Sequence, residues 1–279
     1  MSLAAAYMFG RNNLTAEQWA TDTVVSYRAL NPEQVTWFDL NPSIETELFD
    51  RLLLLFPTFR NQTDASFIYL MQVSGNTTSG IVSKTGNILR WDMQGQIFNQ
   101  NNLPAATLLN NDIITVTSED GWDGLTTVQF SSKNLKGYCP TFNFANVSFF
   151  TINSNQFTGV CPNFIFPNVQ FFRVNSNQFT GVCPNFNFSN VELFYILSNN
   201  FTSIAGFSFV NINLGDIRVD INALNQTSID GLLSETVAAN KISGTRSLKA
   251  EGGTNAAPSA TGTTDKNTLI SRGWTVTTN

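Results

Sequence analysis

The chain contains no histidine in its 279 residues. That absence removes the side chain most used as a general base near neutral pH and the commonest nitrogen ligand for metals, so any triad built on imidazole is excluded. Cysteine is scarce, at three residues, and charged residues make up only 13 % of the sequence. The formal net charge is -5 and the Lys and Arg residues form no block. Tracking a phosphate backbone needs a clustered basic surface, so nucleic acid is not expected as a partner. The most hydrophobic stretch, residues 52–56, sits in a segment far shorter than the roughly 20 residues needed to cross a bilayer. No membrane span is expected. The opening Met1-Ser2-Leu3-Ala4-Ala5-Ala6-Tyr7 has neither the basic n-region nor the apolar run of a secretory signal, so classical secretion is not indicated. The Asn-x-Ser/Thr triplets at Asn13, Asn61, Asn76, Asn146, Asn200 and Asn225 are read as products of an Asn- and Thr-rich composition.

What the chain has is repetition. Residues 146–162 (NVSFFTINSNQFTGVCP) recur 22 residues later as 168–184 (NVQFFRVNSNQFTGVCP), and a third copy begins at Asn190 (NVELFYILSNNF). Upstream, Leu125, Val128, Phe130, Leu135, Gly137, Cys139 and Pro140 fall on the same register. Past Phe201 the spacing slips by about one residue, and Leu214, Ile217, Val219, Asn222 and Leu224 then restore the frame. Apolar residues two apart, such as Phe150 and Ile152, put alternate side chains of a short strand into one core. Val147 and Phe157 complete that core from the flanking turns. Asn155, Asn177 and Asn199 are expected to spend their amides on backbone groups where the chain leaves the strand, tying each coil to the next. Gly159 and Gly181 allow the turn that follows. One coil cannot bury its apolar side alone, so stacking supplies the stability, with each buried Phe worth about 2–3 kcal/mol.

These residues resemble the leucine-rich-repeat family, in the variant whose frame reads L-x-x-L-x-L-x-x-N-x-L-x-G-x-I-P, with Phe and Val standing in for most leucines. The closing residues Gly252-Gly253-Thr254-Asn255-Ala256-Ala257-Pro258 and Gly273-Trp274-Thr275-Val276-Thr277-Thr278-Asn279 resemble the end of repeat proteins of tailed-phage virions and of some bacterial surface proteins. The resemblance implies a virion protein, tail- or capsid-associated, with an exported cell-surface location as the alternative.

Before the repeats, Thr15-Ala16-Glu17-Gln18 is a capping box opening a helix towards Leu30. Asn41-Pro42 opens another, with Ile44, Leu48, Leu52 and Phe56 on one face, expected to end before Pro57 and to pack on its own domain. Short β-type runs follow at residues 66–70, 80–83, 88–91 and 113–117. Trp91-Asp92 is faintly similar to a turn of immunoglobulin-like modules. After the repeats, helices are expected over residues 227–240 and 264–272, with strands at 246–250 and 274–277. The fold class is therefore mixed α and β: a leucine-rich-repeat-like solenoid of 22-residue repeats preceded by a small β-sandwich-like module and an N-terminal helical segment. The expected divisions are 1–65 for the helical attachment segment, 66–123 for the β module and 124–279 for the solenoid with its α/β cap.

Cys139, Cys161 and Cys183 sit 22 apart, each before a proline. Stacked coils would bring them within disulfide range, but three is odd and the spacing matches no metal signature. A ladder of inert core thiols is expected. Glu119, Asp120 and Asp123 form an acidic loop that lacks the spacing of a dedicated Ca²⁺ loop and is read as a solvated turn. No cofactor, metal or catalytic residue is assigned.

Strand residues that do not enter the core face outward, giving one column of Gln129, Thr151, Arg173, Tyr195 and Arg218 and another of Phe149, Phe171 and Leu193. Large apolar side chains in a row, with Tyr and Arg beside them, are the residue types of an interaction surface, unless a flanking loop or the β module covers them. The expected function is thus a non-enzymatic structural or adhesion protein. Its partners would be other virion proteins or a host-surface ligand, and it would form a homo-oligomer within an assembly. The alternatives are an exported bacterial adhesion protein and a tail-associated glycan hydrolase using paired carboxylates.

Overall fold

The computed structural model describes residues 14–59, 67–186, 188–206, 215–241 and 244–279. The triplets at Asn13 and Asn61, the frame position Leu214, the opening residues 1–7 and the side chain of Phe56 lie outside the described residues.

Three helices come first: α1 (Ala16–Leu30), α2 (Pro32–Leu40) and α3 (Pro42–Phe59). The capping box of α1 is formed, with the Thr15 hydroxyl accepting from the Gln18 N–H and the Gln18 side chain accepting from the Thr15 N–H. Helix α2 was not read from the sequence, although Asn31-Pro32 repeats the Asn-Pro start that opens α3. Helix α3 also runs past its expected end and includes Pro57. A proline removes one hydrogen bond to the carbonyl four residues back. The last turn is held instead by Phe59, buried and stacked on Phe67 at 4.9 Å.

The strands β1 (Ile68–Val73), β2 (Ile81–Lys84), β3 (Arg90–Met93), β4 (Gln96–Asn99) and β5 (Ile113–Thr117) precede the repeats. Each of the first four coils then contributes two strands on opposite sides of one core, and the later coils contribute to one side alone. On one side lie β7 (Leu135–Tyr138), β9 (Gln156–Val160), β11 (Gln178–Cys183) and β13 (Asn200–Ile204). On the other lie β6 (Leu125–Gln129), β8 (Phe149–Thr151), β10 (Phe171–Arg173), β12 (Leu193–Tyr195), β14 (Asp216–Arg218), β15 (Ser247–Ala250) and β16 (Thr275–Thr278). The first sheet has the order β13-β11-β9-β7-β1-β5-β3-β4 and the second β16-β15-β14-β12-β10-β8-β6-β2. All pairings among the coil strands are parallel, as a solenoid requires, and β1 to β5 join antiparallel. The molecule is therefore mixed α/β, a β-solenoid of about four turns of ~22 residues with an N-terminal helical segment.

Residues 67–123 do not form a closed unit of their own. Four of their strands extend the first sheet and β2 extends the second. Trp91, Met93, Val116 and Trp122 share one core with Phe142, Phe150 and the rest of the coils. Alternation along β1 shows how the layers stack. Tyr69, Met71 and Val73 enter the solenoid core, whereas Ile68 and Leu70 enter a second core under Trp19, Tyr27, Leu48 and Leu52 of the helices. Where β1 leaves β7, its polar groups are satisfied from the helices. The Tyr27 hydroxyl accepts from the Leu70 N–H at 2.9 Å and donates to Gln34, whose amide donates to the carbonyls of Leu70 and Tyr138.

Inside the solenoid the repeat places identical side chains in register, and aromatic rings stack coil on coil. Phe150, Phe172 and Phe194 lie 5.8 and 5.6 Å apart, and Phe142, Phe164 and Phe186 lie 6.0 and 5.9 Å apart. Such offset stacks add to the area they bury.

The asparagine column forms as expected. The Asn177 amide donates to Ile152 O of the preceding coil at 3.1 Å and to Val174 O at 3.0 Å, while its carbonyl accepts from Phe157 N at 3.2 Å. Asn155 and Asn199 do the same one coil to either side, and Asn222 continues the pattern. Asn255, not read from the sequence as a rung, is a further one, donating to Val219 O and Ala250 O and accepting from Leu224 N. Between these last two rungs the coil returns through a helix, α4 (Gln226–Ala239), and after Asn255 through α5 (Ala260–Ser271).

Candidate interaction face

The outward face of the second sheet carries the residues singled out in the sequence. Strand pairing places Gln129, Thr151, Arg173, Tyr195 and Arg218 side by side, as the spacing predicts, and continues the column to Lys249 and Thr277. The adjoining column runs Thr127, Phe149, Phe171, Leu193, Asp216 and Ser247. Phe149, Phe171 and Leu193 are each half-buried, and the first two rings lie 5.4 Å apart. Thr151 departs from the pattern: it is buried, and its hydroxyl is bonded to Asn153 and shared with Ser131, so it contributes structure rather than free surface.

The centre of the face is a stack. The Arg173 guanidinium lies 5.2 Å from the Tyr195 ring centroid and that of Arg218 lies 5.3 Å away, from the strands on either side. The Tyr195 hydroxyl donates to the Asp216 carboxylate, and Arg218 Nε is 4.0 Å from the other oxygen of Asp216. Each cation–ring contact is worth about 0.5–1 kcal/mol at an exposed site. Together they fix three long side chains before any partner arrives, which lowers the entropy that binding must overcome. Burial pushes the Tyr195 phenol up to about 12, assisted by the hydrogen bond to Asp216 and its charge, while the two arginines pull the other way. The ring therefore stays neutral across physiological pH. Burial likewise raises Asp220 on the next column, against the pull of Arg218 and Lys249.

Compared with family models, curated proteins and solved structures, the chain matches none. What the face can do is therefore read from its chemistry. Arg173, Arg218 and Lys249 are interleaved with Asp216, Asp220 and Glu251, so positive and negative side chains balance. Such a surface selects a partner by local complementarity rather than by long-range attraction.

The remaining candidates resolve into structure. Asp120 of the acidic loop is bonded by Lys84 Nζ at 2.5 Å, the Asn87 N–H at 2.7 Å and the Ser118 hydroxyl. Burial opposes its ionisation, yet these bonds hold the carboxyl below its usual range. Its charge thus holds the fully buried Lys84 side chain. Among the described residues no group of three His, Cys, Asp or Glu is placed to hold a metal ion. The three cysteines are free and fully buried, and burial pushes every thiol upward, away from the reactive thiolate. The sequence reading missed Asp216 as the partner of Tyr195, and Lys249 as the next member of the column. Lys249 pairs with Arg218 only once the two residues added before Asn255 are allowed for, a register that the longer intervening coil conceals.

Proposed function

We propose that this chain is a non-catalytic recognition solenoid of the leucine-rich-repeat type, whose second sheet binds a protein or surface ligand within a larger assembly. The observation that carries this reading is the Arg173–Tyr195–Arg218 stack beside the half-buried Phe149–Phe171–Leu193 column. Tyr and Arg held rigid next to an apolar strip are the residue types that dominate binding energy at protein interfaces. The leucine-rich-repeat assignment is supported by the 22-residue coil and the asparagine rungs. The parallel strands β9, β11 and β13 of the first sheet are the feature such an assignment must accommodate. The assembly proposed is a virion, with the chain as a structural or adhesion component present in several copies. That part rests on the likeness of the closing segment to repeat proteins of tailed phages.

Two measurements test the reading. Mass spectrometry of purified particles and of cell fractions is expected to find the chain in many copies per particle; recovery from the cell envelope alone would instead favour an exported adhesion protein. The double variant Arg173→Ala, Tyr195→Ala is expected to weaken attachment to particles or host cells at least tenfold, about 1.4 kcal/mol. Unchanged attachment would remove the face from the mechanism.

A further inference from the structure

A cleft of about 490 Å³ lies on the opposite side of the molecule from the second sheet's outer face, between the α2–α3 corner and the exposed ends of β1, β5 and β7. That volume is within the range of about 300–1,000 Å³ typical of small-molecule sites. Its walls are aromatic and amide in character. Trp37 and Tyr138 supply ring surface, and Asn41, Gln72 and Asn111 supply amides. The one carboxylate in the lining is Glu47.

Several features make these walls a built surface rather than an accidental gap. Glu47 is fixed by Arg51, which donates to its Oε1 from Nη2 at 2.6 Å and Nε at 3.2 Å. Arg51 is itself only 7 % exposed and is anchored by Asp92 and by the carbonyl of Ile113. One Glu47 oxygen is thus occupied. The other retains its lone pairs for a donor. Tyr138 is held against the Cα of Gly159, where a Cβ would come within 2.6 Å of the ring. The Asn41 amide donates to Trp37 O, which orients its carbonyl oxygen. Gln72 donates to Asn111 O, which does the same for its own oxygen.

No cation is among the lining residues; Lys136 beside it is committed to the side-chain oxygens of Asn110 and Asn111 at 2.6 and 2.5 Å, which leaves the Asn111 side chain as a donor. A purely apolar ligand would strand the amides and the carboxylate without hydrogen bonds. Oriented acceptors, amide donors and an aromatic wall together match a ligand with many hydroxyls and C–H faces. We infer that this cleft is a binding site for a neutral saccharide, with Glu47 and Gln72 accepting hydroxyl hydrogen bonds and Tyr138 packing against the sugar ring. The site is separate from the face proposed above and does not depend on it.

The test uses the full chain and a defined panel of neutral oligosaccharides (cellobiose, maltose, lactose, chitobiose and mannobiose), screened by saturation-transfer NMR and titrated calorimetrically. At least one member is expected to bind. Gln72→Ala is expected to weaken it about tenfold, the effect of losing one or two hydrogen bonds in a preformed site. Ser43→Trp, at an exposed position on the rim, fills the cleft and is expected to abolish binding while the unfolding midpoint stays unchanged. The proposal is overturned if no panel member binds at millimolar concentration, or if binding survives both variants. It is also overturned if Arg173→Ala with Tyr195→Ala removes saccharide binding and the cleft variants do not, since the ligand would then sit on the second sheet.

Discussion

From Asn155 to Asn199 the rungs are spaced 22 residues apart, and the chain returns between them through β9, β11 and paired phenylalanines. From Asn222 to Asn255 the spacing is 33 residues and the return path is a helix. Yet Asn177 and Asn255 each reach back to one carbonyl and one N–H of the preceding coil. The strand and its rung are therefore the invariant of this solenoid, and the return path is free to change. Local geometry absorbs the difference. Asn177 closes its own turn on Val174, three residues back, whereas Asn255 closes on Ala250, five back. The two extra residues are taken up by Gly252 and Gly253, both with positive φ.

The comparison is broken most severely by emptying a ring stack. Phe172 is fully buried and packs on the rings of Phe150, Phe164, Phe166, Phe186, Phe188 and Phe194. Phe172→Ala is expected to cost about 3–5 kcal/mol by urea unfolding. Leu248→Ala, at the equivalent position of a closing coil, removes a smaller side chain and is expected to cost less. A larger loss at Leu248 would mean that the helical coils, not the aromatic ones, hold the structure.

Replacing a rung by leucine tests whether the two kinds of coil depend on it equally. Asn177→Leu and Asn255→Leu each leave one N–H of the preceding coil, Phe157 or Leu224, without its side-chain acceptor, at about 1–3 kcal/mol per buried group, and take one of two amide donors from a carbonyl there, Ile152 or Val219. Equal losses of about 2 kcal/mol are expected. If Asn255→Leu is silent, helix packing has taken over the work of the rung.

The central coils were legible because every apolar position, asparagine and glycine recurs at a fixed spacing, so one coil interprets the next. The closing coils were legible only as separate helices and strands: the inserted helix hides that Asn255 is the homologue of Asn222. Helix α2 and strand β4 escaped because nine and four residues carry too little periodicity to stand out. On the candidate face, the column was readable from alternation alone. The stack was not, because the approach of Asp216 to Tyr195 depends on side-chain rotamers across two strands. Nor could the sequence show that the helices cover β1, which requires knowing that both faces of Ile68–Val73 are buried.

A smaller effect comes from the glycine that accommodates the longer coil. A Cβ on Gly253 would lie 2.4 Å from Asn222 O and 2.9 Å from Asn222 N, and φ is +59°. Backbone atoms cannot give way as a flexible side chain can, so Gly253→Ala is expected to cost about 1–3 kcal/mol. No comparable loss is expected from Gly181→Ala beyond its backbone strain, since nothing lies within 4 Å of that Cβ.

The smallest expected effect is a gain. Before each rung the chain passes through one left-handed residue, and in the repeats that residue is serine: Ser154, Ser176 and Ser198, with φ between 53 and 56°. In the closing coil the same place is taken by Ile221 at φ 54°. A β-branched residue is poorly suited to that conformation, at a cost of roughly 1–2 kcal/mol, whereas asparagine tolerates it. Ile221 is 51 % exposed, so little burial is lost by replacing it. Ile221→Asn is therefore expected to stabilise the chain by about 1 kcal/mol, raising Tm by a few degrees. The reciprocal Ser198→Ile should lower it by a similar amount. A loss on Ile221→Asn would show that the isoleucine packs usefully on the Gly252 turn beside it, and that the closing coil holds its strained turn through side-chain contact where the repeats rely on backbone preference.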